Sequence, residues 1–166
     1  CGHLVDVVLM VQGDEPLILP EDLSKMIQHF ETPDVEIVNL MAKLKTRKDF
    51  ENKNNVKVVV KQNMDALYFS REPIPSMWKG EAFVPMFMQI GAIAFRRNVL
   101  TEFEQMEETL LEIIESVDMN RILETGGKIK MVLTDAKMIG VDTLEEAENV
   151  SKQMENDIIF KEYYSM

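Results

Sequence analysis

The run Val5-Asp6-Val7-Val8-Leu9-Met10-Val11 is apolar at every position but one, and it stops at Gln12-Gly13-Asp14-Glu15-Pro16. A strand without polar alternation is buried on both faces, so it needs strands beside it and helices above and below. That requirement selects an α/β arrangement. Such a strand ending in Gly-Asp puts a carboxylate at the carboxyl edge of the sheet, where open α/β folds bind their ligands. Asp14 is therefore a candidate for handling a metal or a phosphate, and Gly13 would let the backbone approach the ligand closely. The competing explanation is a plain Gly-Asp-x-Pro turn.

The chain has 166 residues, 46% of them hydrophobic, enough for one core, and residues 1–166 read as a single domain. Its 18 Lys and Arg against 29 Asp and Glu give a formal charge of −11. A field of that sign opposes nucleic acid as a partner, and any anionic ligand must be met by a local cation, a helix N-terminus or a metal. No apolar run approaches the ~20 residues that span a bilayer, so no membrane partner is expected. The first apolar stretch also lacks the basic flank of a secretory leader. The single cysteine, Cys1, fits a reducing cytoplasm, the expected location. The sequence begins at Cys1 and is already strand-like by Leu4. Three preceding residues cannot supply the neighbours that strand needs, so the chain is expected to be the later part of a longer domain.

Further along, Pro20 to Glu31 has a proline and acids in its first turn and a helical stripe at Leu23, Met26, Ile27 and Phe30. Val35 to Leu44 reads as a strand, and the polar stretch from Lys45 to Asn55 as a loop. Val56 to Lys61 and Ala66 to Ser70 read as a hairpin. Arg71 to Pro85 carries Pro73, Pro75 and Pro85 and cannot be regular helix. Met88 to Phe95 is a strand. Leu100 to Ile114 and Ser116 to Thr125 are helical by periodicity, with Gly126-Gly127 as the stop. Lys128 to Leu133 is a strand, and Thr143-Leu144-Glu145-Glu146 is a capping box opening a helix to at least Met154. The acids from Glu102 to Glu115 read as a solvated helix face. The methionines read as gap-filling core residues, and His3 and His29 as structural or exposed.

A second acid occupies a glycine-preceded loop, Ile139-Gly140-Val141-Asp142-Thr143. Two carboxylates converging from separate loops suit Mg²⁺ when the ion also holds substrate phosphates. Asp142 could equally serve as part of a helix cap.

Five blocks occur together and in order: Gln12-Gly13-Asp14-Glu15-Pro16, Asn54-Asn55-Val56-Lys57-Val58-Val59, Ala66-Leu67-Tyr68-Phe69-Ser70-Arg71, Gln89-Ile90-Gly91 and Gly140-Val141-Asp142-Thr143. Across nearly the whole chain, to about Val150, the sequence resembles the 3-deoxy-manno-octulosonate cytidylyltransferases, or CMP-Kdo synthetases. The resemblance implies a Rossmann-like nucleotide-diphospho-sugar transferase fold, with a mixed sheet flanked by helices. It implies a homodimer, with an extended Pro-rich segment near 71–86 contributing to the interface. It also implies use of Mg²⁺ with CTP to activate a 3-deoxy-2-keto sugar acid for lipopolysaccharide or capsule. On the matching positions, Asp14 and Asp142 would be catalytic metal ligands. Gln12, Gly13, Arg71, Gln89 and Arg121 would contact nucleotide or sugar, Gln12 lying between the two and Arg71 facing the sugar carboxylate. A guanidinium fork suits that last task.

The chain departs from the family in two respects. The family's N-terminal glycine-rich loop, which bears Arg and Lys, is not in this sequence. A noncatalytic dimerisation or sugar-binding module without that loop is thus an alternative to an enzyme. In the sugar pocket, the family's usual His becomes Gln89, a Tyr becomes Ile93, and Glu-Gln-Leu-Arg becomes Asp118-Met119-Asn120-Arg121. Loss of hydrogen-bonding groups there leaves the sugar acid open between Kdo and a related 2-keto-3-deoxy acid with an amino or deoxy modification.

Overall fold

A computed structural model describes residues 5–80, 84–135, 144–155, 157, 160 and 161. Six strands form one mixed sheet: β1 (Val7–Val11), β2 (Ile37–Lys43), β3 (Lys57–Val60), β4 (Ala66–Ser70), β5 (Phe87–Arg96) and β6 (Lys130–Thr134). The order is β4-β3-β5-β2-β6, and β1 also pairs with β5. β1 and β2 are both antiparallel to β5, and β6 is parallel to β2. The carboxyl ends of β1, β2 and β6 therefore share one edge of the sheet.

The first six residues of β2 are all buried, as a central strand covered on both faces requires. Alternate side chains feed two cores. Ile37 and Met41 join Val58, Phe69, Ile93, Phe95, Met119, Ile122 and Met131 on one face. Val38, Leu40 and Ala42 join Met26, Ile90, Ala92, Ala94 and Val132 on the other. The second face is covered by α1 (Pro20–Gln28), with Pro20 in its first turn, and a 3-10 turn follows at His29–Glu31. Buried Asp22 on α1 accepts from Lys25 at 2.9 Å and from the Thr134 hydroxyl, which ties α1 to the end of β6.

Two helical expectations are corrected. The stretch from Lys45 to Asn55 is not all loop, because Arg47–Glu51 forms α2. Thr46 caps it by accepting from the Asp49 N–H, and Phe50 anchors it in full burial. One apolar residue in five leaves no periodicity to read. The helix expected from Leu100 to Ile114 is two, α3 (Arg97–Gln105) and α4 (Leu110–Glu115). Arg121 on α5 (Met119–Glu124) sits in the break, donating to the carbonyls of Phe103, which also accepts from the Met106 N–H, and of Met106. Gly126, at φ 86°, ends α5 in the left-handed conformation that favours glycine.

The last described helix is α6 (Leu144–Met154); Asp142 and Thr143, the residue expected to cap it, lie outside the described residues, as does most of the apolar tail. No helix among the described residues is long and apolar enough to cross a membrane. From Arg71 to Gly80 the chain is irregular, with a cis Ile74–Pro75 bond, and Trp78 is 86% exposed.

Candidate active site

β1 ends in a turn locked to β5. The Gln12 N–H donates to the Gly91 carbonyl at 2.8 Å, continuing the ladder by one residue. The Gln12 carbonyl then leaves the ladder and accepts from the Glu15 N–H at 3.2 Å, closing a turn with Gly13 and Asp14 at its centre. Glu15 Oε1 accepts from the Gly91 N–H at 3.0 Å, filling the position that the Gln12 carbonyl vacates. The Gln12 side chain lies where a Cβ of residue 91 would be, with Oε1 only 2.3 Å from that point. Glycine at 91 is thus what lets the Gln12 side chain lie against β5. Sequence reasoning recognised the turn and missed Glu15 as its clasp, since the contact spans 76 positions.

This lock leaves Asp14 exposed and without a hydrogen bond or ion pair among the described residues. A carboxylate held at a strand end with no protein partner is a fitting oxygen donor for a hard cation. At Gly13 an added Cβ would meet open space, and the backbone is not left-handed. Among the described residues, nothing in the fold demands glycine there. The chain leaves β6 at Asp135 on the same sheet edge, and Asp142 follows in the sequence outside the described residues.

Beyond the turn, β3 takes over the same edge of β5, with the Gln89 N–H donating to the Val56 carbonyl at 2.8 Å. The register Lys57↔Met88 and Lys57↔Ser70 places Gln89, Val56 and Arg71 in one row across three strands. Arg71 therefore stands two strand spacings, roughly 10 Å, from Gln89. Gln89 and Gly91 share one face of β5, so Gln12, Gln89 and Arg71 are brought into one region.

Arg71 is held from every side. Its Nε donates to the Glu115 carbonyl at 2.8 Å, and its Nη atoms to the carbonyls of Lys53 and Ser116. Glu115 accepts from the Arg71 N–H and from the hydroxyls of Tyr68 and Ser70. Burial pushes the Glu115 carboxyl up, but these donors hold it below the usual range. Tyr68, desolvated beside that carboxylate, is pushed up to about 12. Lys57 is fully buried and donates to the carbonyls of Asn52, Asn55 and Arg71. Burial lowers its ammonium pKa to about 8.

Two expectations change. Glu112 and Glu115 do not belong to a solvated face: Glu112 is 7% exposed, and Glu115 is the hub just described. Arg121 grips Glu112 through Nε at 2.7 Å and Nη2 at 2.5 Å and stacks over Phe103, 4.5 Å from the ring centre. These contacts set Arg121 into the α3–α4 break. Of the altered pocket positions, Ile93, Met119 and Asn120 are sealed in the core at 1%, 0% and 0% exposure, Gln89 is half-buried and Asp118 is exposed.

This fold is shared with solved nucleotidyltransferases. A family model described as cytidylyltransferase matches residues 2–131, and the chain belongs to that family. Its relatives include the 3-deoxy-manno-octulosonate cytidylyltransferases of Christiangramia forsetii, 41% identical over 89% of this chain, and of Fusobacterium nucleatum, 41% identical over 92%. The chain spans 61% and 63% of the lengths of these two proteins. A solved CMP:2-keto-3-deoxy-manno-octonic acid synthetase complexed with CTP is 33% identical, with a TM-score of 0.82 over 91% of this chain and 62% of its own. A glucose-1-phosphate thymidylyltransferase from Bacillus anthracis, 12% identical with a TM-score of 0.58 over 89% of this chain and 54% of its own, shares the fold.

Proposed function

We propose that the chain carries the larger part of a cytidylyltransferase that joins CMP from CTP to a 3-deoxy-2-keto sugar acid, Kdo or a relative, in the cytoplasm. The observation that carries this reading is the locked turn. It presents an exposed, unpartnered Asp14 beside Gln12 at a strand end, in a chain of the cytidylyltransferase family. A module without catalysis has no need to hold a bare carboxylate there.

In the reaction, the anomeric hydroxyl oxygen attacks the α-phosphorus, the bond to the β-phosphate oxygen breaks, pyrophosphate leaves and the hydroxyl proton passes to solvent. Asp14 and Asp142 would hold Mg²⁺, which supplies charge neutralisation on the triphosphate. Gly13 admits the phosphates close to the backbone, and Gln12 lies between nucleotide and sugar. Arg71 meets the sugar carboxylate with the N–H groups that its three carbonyl contacts leave over. Gln89 contacts the sugar, and Arg121 supports the wall by fixing the α3–α4 break. Positioning of this kind supplies catalysis without a dedicated side-chain base. The same reading takes the protein as a homodimer through residues 71–86, where Trp78 offers an exposed aromatic anchor.

The test is pyrophosphate release from CTP with Mg²⁺ and Kdo or related keto-deoxy acids. Release dependent on the sugar acid is expected; none with any of them would overturn the reading.

A further inference from the structure

We propose that Asn39 is a specificity-determining positioning residue: it locks the Gln89 amide so that the carbonyl oxygen faces the ligand, and the sugar acid meets it through a hydrogen-bond donor, a hydroxyl or protonated amine. The proposal rests on the functional reading above and adds the polarity of one contact.

Asn39 is completely buried in β2, at the point where the β2–β5 register slips between Asn39 and Met41. Its Nδ2 donates to the carbonyls of Ile90 and Ala92, both at 2.9 Å, and lies 3.2 Å from that of Leu40. Carbonyl oxygens only accept, so three of them around one end of an amide identify that end as nitrogen. The other end is then Oδ1, which must accept. The Gln89 atom 2.8 Å from it is therefore the NH₂ group. Reversing either amide would set two acceptors, or two donors, against each other within a buried network.

Gln89 Oε1 is left with no partner among the described residues, on the face of β5 that also carries the Gln12 contact at Gly91. A ligand carboxylate, which only accepts, is disfavoured there and falls to Arg71 across the row. An ordinary glutamine could rotate to serve either kind of group; this one cannot. With Ile93, Met119 and Asn120 sealed in the core and Asp118 at the N-cap of α5, Gln89 is the altered position on the sheet face beside Gln12.

The experiment has two readouts on the intact protein. In the ligand-free, ¹⁵N-labelled protein, side-chain amide exchange at Gln89 is expected to be roughly tenfold or more slower than at the exposed Gln28 and Gln62. Asn39→Ser should restore free exchange. Equal rates in the unsubstituted protein would overturn the lock, whatever the activity. Next, kcat and KM are measured with Kdo and its single-deoxy analogues for the unsubstituted protein, Gln89→Met and Asn39→Ser. Gln89→Met is expected to raise the KM for Kdo roughly 10- to 100-fold, with KM for CTP changed less than about twofold. One deoxy analogue should be penalised in the unsubstituted protein and not further in Gln89→Met. Asn39→Ser should move the KM for Kdo in the same direction with little change in kcat. Equal penalties for every analogue in both proteins, or a change confined to CTP, would overturn the donor assignment. If no sugar acid is turned over, the functional reading and the ligand half of the proposal fall together, and the exchange rates still decide the lock.

Discussion

Replacing Gly91 with alanine tests whether the turn carrying Asp14 is built on β5 as described. The added Cβ would lie 2.3 Å from Gln12 Oε1, 2.8 Å from Cδ and 3.0 Å from Cβ, so the side chain must move by about an ångström to reach ordinary contact. Gln12 is exposed and can swing, but the close approach to its own Cβ strains the bonds at 2.8 Å and 3.0 Å that tie Gln12 and Glu15 to Gly91. Overpacking costs about 1–3 kcal/mol, and the freedom of Gln12 argues for the low end, about 1 kcal/mol. For a chain of this size that lowers Tm by about 2–4 °C. In a Gln12→Ala background the Oε1 and Cδ clashes vanish, and alanine in a strand gains on the order of 0.5 kcal/mol over glycine. Gly91→Ala should then be neutral or slightly stabilising. Activity supplies a second axis: sugar-dependent pyrophosphate release should fall on the order of tenfold or more in Gly91→Ala, and Gly91→Ala/Gln12→Ala should be no worse than Gln12→Ala alone. Equal destabilisation in both backgrounds would show that Gln12 does not occupy the Cβ position, and the built turn would be wrong.

Asp14→Asn should leave stability within about 0.5 kcal/mol, because the side chain is exposed and unpartnered, yet lower turnover by at least about a hundredfold. Asp142→Asn should match it in activity; a normal rate in either would remove the two-aspartate site. Glu112→Gln or Arg121→Met breaks a pair whose side chains are 10% and 12% exposed, and each should cost about 3–5 kcal/mol in chemical denaturation, with the double variant costing less than the sum. The bond from Arg121 holds the Glu112 carboxyl below its ordinary 4.5. Its contribution is complete above that value and lost as pH falls through the depressed one, so Glu112→Gln should show a shallower acid transition. Lys57 runs the other way: with a folded value of about 8 against an ordinary 10.5, the unfolded chain binds more protons between those limits, so stability rises with pH there. Arg71 and Lys53 around it reinforce burial, and Glu72 and Glu115 oppose it. Stability relative to Lys57→Met should increase from pH 8 to 10; a flat difference would refute the burial of a charged amine.

The strands were legible because their signal is local: β2 and β5 are apolar runs broken inside only by Asn39 and by Gln89 and Gly91, and the expected bounds lie within a residue or two of the observed ones at each end. The turn at Gly13-Asp14 was legible for the same reason. What was hidden depends on residues far apart. The α3–α4 break is held by Arg121, 18 positions beyond the Phe103 carbonyl to which it donates, while the local pattern reads as one helix. Glu115 reads as one acid among several until the fold brings Tyr68, Ser70 and Arg71 to it. α2 escaped because Phe50 alone supplies its buried contact.

One discontinuity connects these observations. Along a single edge of β5, Gln12, just past β1, pairs with Gly91, and Val56, just before β3, pairs with Gln89. An uninterrupted partner strand would satisfy every backbone group there and leave no room for a ligand. Two partners meeting end to end leave a gap that must be closed by side chains, and Glu15 closes it from the β1 side. On the opposite edge, β2 slips register at the same level, and Asn39 closes that break. Both repairs converge on residues 89–92, so the backbone carrying Gln89 and Gly91 is held by side chains and by neither ladder alone. Such a segment is sensitive to substitution at Glu15 and Asn39 in a way that a regular strand is not. Glu15→Gln, which keeps an oxygen acceptor for the Gly91 N–H, should therefore preserve much more activity than Glu15→Ala. Equal loss in both would mean that charge, and not the clasp on Gly91, is what Glu15 contributes.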